Sequence, residues 1–268
     1  MSQWAEVGDG VFQRRYDPLD ISVCVVRGSD GLLVVDTRSN HREGEEIRRD
    51  LRALSPQPVR WVVNTHAHFD HTFGNYCFGA ASDLRATIYG HRLLPAHHKR
   101  FERPMLERDE FHGVVLTPPD ELVDEHHVLD LGDRGVDLVY LGRGHTDNDL
   151  LLHVADVDVW LVGDEVEESG PPMYGSGSFP LDWPDTVAAL VEHLGAATTV
   201  VPGHGAPVGR EFVVAQQRDL RSAADLIREL YAAGVPAADA VEAGRGRWPF
   251  PVDGMQHAVD DAYVRMGP

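Results

Sequence analysis

The stretch Thr65-His66-Ala67-His68-Phe69-Asp70-His71 places three imidazoles and one carboxylate within six residues. These side chains are the ones that bind borderline divalent metals in proteins. Because alternate residues of an extended loop can point the same way, His66 and His68 can reach one ion. Asp70 and His71 would then face a second ion. The sequence therefore predicts a metal centre built on this loop.

Three further candidate ligands arrive later in the chain, each beside a glycine that follows an apolar strand. They are found in Gly144-His145-Thr146, in Gly163-Asp164 and in Pro202-Gly203-His204-Gly205. Glycine permits unusual dihedral angles and lets the backbone approach an ion closely. Since the strands are expected to end on one edge, these three side chains are predicted to join the histidine loop in a single site.

Two other histidine pairs, His97-His98 and His126-His127, have no carboxylate at a matching spacing. A histidine-rich surface loop is the ordinary alternative to a metal site, and for these pairs it is the better interpretation. We therefore expect them to be solvated or packing residues.

The composition excludes several classes of function. The 268 residues include 24 Lys and Arg against 43 Asp and Glu, a formal net charge of −19, which disfavours nucleic-acid partners. The only lysine is Lys99, and the two cysteines, Cys24 and Cys77, lie in no CxxC pair. The amino terminus lacks a signal-peptide pattern, and no apolar run is long enough to span a bilayer. These features predict a cytoplasmic protein with no nucleic-acid partner and no membrane contact.

Secondary-structure patterns run in the order strands, helix, strand, histidine loop, then strands, helix, strand and helices. Helices are predicted at 43–54, 91–103 and 183–194, and strands at 10–12, 21–26, 31–36, 59–63, 87–89, 121–124, 127–131, 136–141, 149–154, 158–163 and 198–201. From about 210 the chain is mainly helical. With no linker or repeat, residues 1–268 are predicted to form one domain, with two packed sheets and helices outside.

The motif His66-x-His68-x-Asp70-His71, followed by His145, Asp164 and His204, resembles the metallo-β-lactamase superfamily, with a metal site similar to that of glyoxalase II and the lactonases. The segment 31–37 also looks like the family's early strand and turn, although Arg38 stands where glycine is usual. The resemblance implies an α/β (α+β) fold, a four-layer αββα sandwich of two mixed β-sheets flanked by helices. It places the metals at one edge of the sheets.

The resemblance also implies a role for each candidate ligand. It assigns one ion to three histidines, a second ion to a carboxylate with two histidines, and a bridge between the ions to one carboxylate: His66, His68 and His145; Asp70, His71 and His204; and Asp164. Two Zn²⁺ per chain are expected, with Fe or Mn as alternatives because they accept the same donors. Asp36 is expected to orient a ligand-bearing loop.

The implied activity is that of a dinuclear zinc hydrolase, in which a hydroxide held between the ions attacks a small-molecule carbonyl substrate, namely a lactone, a thioester or a lactam. Asp70 is expected to accept or relay the proton. Arg143 and Tyr174 are candidate substrate residues, and the acidic segment 165–168 is expected to be a solvated turn unless it faces the pocket.

Two alternatives stay open. One is a mononuclear iron oxygenase resembling the persulfide dioxygenases, and the other is a metal-binding module without turnover. A homodimer is expected only from the general frequency of symmetric assemblies.

Overall fold

The computed structural model describes residues 3–267, which form twelve strands and several helices. The strands are β1 (Ala5–Gly8), β2 (Val11–Tyr16), β3 (Ile21–Arg27), β4 (Leu32–Val35), β5 (Val59–Val63), β6 (Thr87–His91), β7 (Glu121–Val123), β8 (His126–Asp130), β9 (Gly135–Tyr140), β10 (Leu150–Val154), β11 (Val159–Glu167) and β12 (Thr199–His204). The α-helices are α1 (His41–Leu54), α2 (Phe69–Thr72), α3 (Leu94–His97), α4 (Trp183–His193), α5 (Arg210–Ala232), α6 (Ala237–Ala243) and α7 (Met255–Met266). A π-helical turn (His98–Glu102) and a 3-10 turn (Arg103–Glu107) extend α3.

The predicted elements are present, but several differ in extent, and β2 runs on to Tyr16 instead of ending at 12. Strand β1 was not predicted, the helix predicted from 91 begins at Leu94, and β11 runs on to Glu167 instead of ending at 163. None of the helices in the described part of the chain is long and apolar enough to cross a membrane.

The strands form two mixed sheets. In the first, β1 to β4 pair antiparallel, and β5, β6 and β7 add to β4 in parallel. In the second, β8 to β11 pair antiparallel and β12 adds to β11 in parallel. Within residues 3–267, strand pairing joins the two sheets only where His204 of β12 pairs with Ile21 of β3. This contact lies at the edge where the predicted ligands collect.

The alternation of side chains shows four layers. Leu33 and Val35 of β4 belong to a central core, whereas Val34 packs with Ile47 and Leu51 of α1. In the second sheet Leu150 and Leu152 enter the same central core, whereas Leu151 packs under α4, α5 and α7. Because successive residues of a strand face opposite sides, the central core lies between the sheets and helices cover both outer faces. The predicted αββα sandwich is confirmed.

The loop between β4 and α1 is held by a helix cap and a buried arginine. Asn40 Oδ1 accepts from the Glu43 amide at 3.0 Å, and Glu43 reaches back to the Ser39 amide at 3.2 Å, which is a capping box. Arg38 has a left-handed backbone (φ 68°), which glycine favours. Its guanidinium pairs with Glu46 at 2.8 Å and Glu43 at 3.4 Å. These contacts offset the backbone strain where the resembled family usually has glycine.

Replacing Arg38 with alanine should lower the free energy of unfolding by about 2 kcal/mol, because the strained backbone stays while a buried ion pair is lost. Urea unfolding of the metal-free protein measures this change. Arg49→Ala is the matched control, since Arg49 pairs with the same Glu46 at 3.2 Å but is 63% exposed. That variant should lose less than about 0.5 kcal/mol. Equal losses in the two variants would show that burial of Arg38 contributes nothing.

Candidate metal centre

All seven predicted ligands meet at one edge of the two sheets. They come from the loop after β5, from α2, from the loop after β9, and from strands β11 and β12: His66 and His68, Asp70 and His71, His145, Asp164, and His204. Each belongs to a group of three side chains whose donor atoms lie within 4.8 Å of one another. The structure therefore joins residues separated by up to 138 positions in the sequence, from 66 to 204.

The first group consists of His66, His68 and His145. His68 Nδ1 lies 3.2 Å from His66 Nε2 and 2.8 Å from His145 Nε2. The outer nitrogens of His145 and His68 donate to the carbonyls of Met173 and Ser176, at 3.1 and 3.0 Å. Because a carbonyl only accepts, these contacts put the protons on the outer nitrogens and leave lone pairs facing inward. Converging lone pairs fit a bound cation.

Burial keeps the imidazoles of the first group neutral. It lowers the pKa of His68 to about 4 and that of His145 to about 3, and it holds the pKa of His66 well below its ordinary value. At neutral pH these three rings are therefore ready to bind a metal without losing a proton first.

The second group consists of Asp70, His71 and His204. Asp70 Oδ2 lies 3.4 Å from His204 Nε2 and 3.8 Å from His71 Nε2. The outer nitrogen of His204 donates to the Leu19 carbonyl at 2.8 Å, and that of His71 donates to Asp36 Oδ2 at 2.8 Å. The two inner nitrogens and the carboxylate therefore point to a common position.

Asp164 lies between the two groups. Its Oδ1 is 3.2 Å from His71 Nε2, and its Oδ2 is 3.4 Å from both His145 Nε2 and His204 Nε2. Within the described residues, His71 Nε2 and Asp164 Oδ1 are buried without a hydrogen-bond partner. A buried nitrogen and a buried carboxylate oxygen left over in this way fit a shared divalent cation. The donor set therefore fits the metal that the motif predicts.

Charge in the second group differs from that in the first. Burial lowers the pKa of His71, but Asp164, Asp36 and Asp70 outweigh it and raise this pKa well above its ordinary value. The pKa of His204 is likewise raised, because Asp164 and Asp70 outweigh burial. Without a metal, both imidazoles are therefore protonated at neutral pH, and a cation entering the group must displace protons.

Zinc binding to the metal-free protein at pH 7 should release at least about one proton per chain, because the raised pKa values of His71 and His204 keep these ligands protonated. As the pH rises and these protons leave, the apparent affinity for zinc should increase. Calorimetric titrations in buffers of different ionisation enthalpy measure the protons released. A binding enthalpy independent of the buffer would contradict this assignment of charge.

One carboxylate orients rings in both groups. Asp36 Oδ1 accepts from the Thr65 amide, and Oδ2 accepts from the Thr65 hydroxyl and from His71 Nδ1, each at 2.8 Å. Since the Thr65 hydroxyl proton is used by Asp36, its oxygen accepts from His66 Nδ1 at 3.1 Å. These contacts are compatible with the role expected for Asp36, which is to orient the ligand-bearing loop.

Residues 16–229 match the sequence model of the metallo-beta-lactamase superfamily. The chain belongs to this superfamily. The predicted recognition and the predicted enzyme class, a hydrolase, are confirmed by this match together with the relatives.

Similar proteins agree with the fold and the class. The acyl-coenzyme A thioesterase MBLAC2 from Bos taurus is 27% identical over 229 residues, 76% of this chain and 81% of that protein. The sec-alkylsulfatase Pisa1 from Pseudomonas sp. aligns with a TM-score of 0.77 at 15% identity, covering 98% of this chain and 50% of that one. A metallo-beta-lactamase from Pontibacter korlensis aligns with a TM-score of 0.67 at 16% identity, covering 81% and 99%. The two structures support the fold alone.

The candidate substrate residues Arg143 and Tyr174 make other contacts, although the carbonyls of Met173 and Ser176, on either side of the Tyr174–Gly175 pair, accept from His145 and His68. Arg143 pairs with Asp182 at 2.8 Å and lies 4.7 Å over the ring of Phe179. Tyr174 is 3% exposed and packs against Trp183 in the core under α4. Both side chains are used in packing or in a surface ion pair.

The acidic segment 165–168 is not the solvated turn expected from its composition. Strand β11 includes Glu165 and Glu167, and both are buried. Glu165 Oε1 accepts from the His145 amide at 3.3 Å, and Glu167 forms a possible donor group with Asp164 and His204. Burial raises the pKa of both glutamates well above the ordinary value. Sequence reasoning missed the burial of Glu165 and Glu167 next to the ligands because glutamate is uncommon in strands.

The predicted packing histidines lie closer to the site than their spacing suggested. His97 and His98 are both buried, and the His97 ring lies 5.4 Å from that of His68. His97 also forms a group of possible donors with His68 and Glu102. In contrast, His126 is exposed and pairs with Asp137 at 2.8 Å. The pair at 97–98 therefore packs against the metal centre.

Gly203 is required by the close approach of β12 to β11. A Cβ at this position would overlap Asp164 Oδ1 and lie 2.8 Å from the Gly163 carbonyl carbon. This contact explains the glycine that precedes His204 in the superfamily motif of this chain.

Replacing Gly203 with alanine should weaken zinc binding by roughly tenfold or more, because the new methyl group pushes the Asp164 carboxylate out of position. Competition with a chromophoric chelator measures the affinity. Gly209→Ala is the control, because a Cβ at Gly209 meets open space. If both variants bind zinc as tightly as the unaltered protein, Asp164 is not held by this contact.

Proposed function

We propose that this chain is a zinc-dependent thioester hydrolase that holds two zinc ions and acts on small acyl thioesters, with acyl-coenzyme A as the substrate class. The observation that carries the proposal is the convergence of two donor groups on the shared carboxylate of Asp164. The thioester class is supported by the 27% identity to an acyl-coenzyme A thioesterase over 76% of this chain.

Each group would hold one ion, the first through three neutral imidazoles and the second through a carboxylate and two imidazoles. When bound, zinc lowers the pKa of a coordinated water towards about 7 and polarises a carbonyl oxygen. The outer hydrogen bonds to Asp36, Leu19, Met173 and Ser176 keep the rings aimed inward. The chain thus provides a rigid donor frame that needs little rearrangement when substrate arrives.

Asp70 is suited to accept the proton of the attacking water. Burial raises the pKa of its carboxyl group, but His71 and His204 outweigh burial and lower it. Oδ2 is therefore unprotonated at neutral pH. A thiolate, whose conjugate thiol has a pKa near about 8.5, leaves without prior protonation, so a single proton acceptor is sufficient. This requirement favours a thioester over a lactam, whose leaving amine needs a proton.

The compartment and the assembly remain proposals. Cys24 and Cys77 are both free and buried, which supports a reducing, cytoplasmic environment. A homodimer stays a prediction from general frequency.

Protein purified without added metal should contain two zinc ions per chain and hydrolyse hexanoyl-coenzyme A, with activity lost on chelation and restored by zinc. Thiol release measured with a disulfide dye follows the reaction, beside a chromogenic lactam and a lactone. Asp70→Asn should lower kcat by at least about 100-fold, because it removes the proton acceptor and also a carboxylate donor of the second group. The exposed Asp253→Asn serves as the control and should keep full activity.

Metal analysis separates the alternatives. One iron per chain, oxygen uptake with glutathione persulfide and no thioester hydrolysis would overturn the proposal in favour of an oxygenase. Two zinc ions with hydrolysis of the lactone or lactam alone would keep the hydrolase and reject the thioester class.

A further inference from the structure

A cavity of about 190 Å³ lies beside the helical segment that follows β6 and contains none of the predicted ligands. It is lined by two cations, a buried histidine and apolar side chains: Lys99, Arg103, His98, Pro95, Leu116 and Pro118. Lys99 and Arg103 are exposed, whereas His98 is buried. The cavity therefore presents positive charge at its surface over a largely apolar interior.

Among the residues that the structure describes, these two cations have no carboxylate partner. Nearby Arg92 pairs with Asp124 and Arg108 pairs with Glu110 at 2.8 Å. Within residues 3–267, neither Lys99 nor Arg103 has an ion pair or a side-chain hydrogen bond. In a chain with 43 acidic and 24 basic residues, exposed cations find carboxylates easily. Two neighbouring cations left unpaired at a cavity are suited to bind an anion from outside.

The local charge differs in sign from that of the whole chain. Apart from Arg92 and Arg108, which pair with carboxylates outside the segment, residues 92–108 contain three Lys or Arg and two Asp or Glu, whereas the chain carries a net charge of −19. Of the two acidic residues, Glu102 is buried and so does not face the cavity surface. An anion approaching this face therefore meets net positive charge at short range.

His98 lines the cavity and also forms a hydrogen bond to the segment that carries the metal ligands. The Thr72 hydroxyl donates to the His68 carbonyl at 3.1 Å, so its oxygen accepts from His98 Nε2 at 3.0 Å. His98 thus lines the cavity on one side and bonds to the ligand-bearing segment on the other. The cavity lies next to the metal centre but outside it.

We propose that Lys99 and Arg103 bind the phosphate groups of the coenzyme A part of the substrate. This inference rests on the thioesterase function proposed above. Coenzyme A carries its phosphates at the far end of a flexible pantetheine arm, so its anionic groups are expected outside the metal centre while the thioester carbonyl reaches it. The apolar side chains of Pro95, Leu116 and Pro118 offer contact area for the rest of the nucleotide.

The test compares two substrates with the same thioester, hexanoyl-coenzyme A and hexanoyl-pantetheine, the second of which has no phosphate. In the zinc-loaded double variant Lys99→Gln/Arg103→Gln, kcat/KM for hexanoyl-coenzyme A should fall roughly tenfold, mostly through KM. The value for hexanoyl-pantetheine should stay within about twofold. Added salt should reduce the preference of the unaltered enzyme for the coenzyme A substrate.

The double variant Arg52→Gln/Arg60→Gln is the matched control. Both arginines are exposed, and the change in net charge is the same. They lie in the last turn of α1 and near the start of β5, away from the ligand loop that follows β5. An equal loss of kcat/KM for hexanoyl-coenzyme A in this control would show that the effect comes from the net charge of the protein, and it would overturn the proposal.

Other outcomes separate this inference from the proposed function. If the unaltered enzyme hydrolyses both substrates with equal kcat/KM, or the cavity variant loses both equally, phosphate binding here is overturned and the thioesterase stands. If neither substrate is hydrolysed, the thioesterase fails. Calorimetry with 3′-phosphoadenosine 5′-diphosphate then decides: binding that the cavity variant loses supports the phosphate site, and absent binding overturns it.

Discussion

The Asp36 carboxylate holds the metal centre together, because its hydrogen bonds reach rings in both donor groups. It bonds His71 directly and His66 through Thr65, so one buried side chain at the end of β4 sets the orientation of two imidazoles. Its own backbone is left-handed (φ 64°), a conformation that aspartate tolerates better than most residues. The capped start of α1 and the ion pairs of Arg38 fix the turn around it. The fold therefore orients the metal-binding imidazoles through this turn.

The two donor groups differ in charge, and this difference follows from where the carboxylates lie. The first group has only imidazoles and the edge of Asp164, and burial keeps it neutral. In the second group, three carboxylates surround His71 and raise its pKa. Protons thus stabilise the second group when no cation is present. The same carboxylates attract a divalent cation once those protons are lost, which couples metal binding to pH.

Much of the site could be predicted because its ligands follow strands, and strand ends are marked by glycine and by apolar runs. The position of Asp36 came from the family resemblance, since nothing local in the sequence links residue 36 to residue 71. Burial of Glu165 and Glu167 could not be predicted, because it depends on β11 passing beneath His145 and His204. The surface pairing of Arg143 was hidden for the same reason: its partner lies 39 positions further along the chain. Contacts between distant segments decide these features, and residue patterns do not record them.

An acidic chain can bind an anionic substrate, because only the charges close to the bound anion act on it strongly. At physiological ionic strength the screening length is about 8 Å, so most of the 43 carboxylates act weakly on a phosphate bound at one face. Lys99 and Arg103 lie at that face, and no carboxylate in the described part of the chain, residues 3–267, pairs with them. Since exposed charges beyond the screening length contribute little, a local pair of cations decides whether an anion binds there. A net charge of −19 therefore disfavours a polyanion that must contact a broad surface, but it is compatible with a small molecule whose phosphates contact one basic cavity.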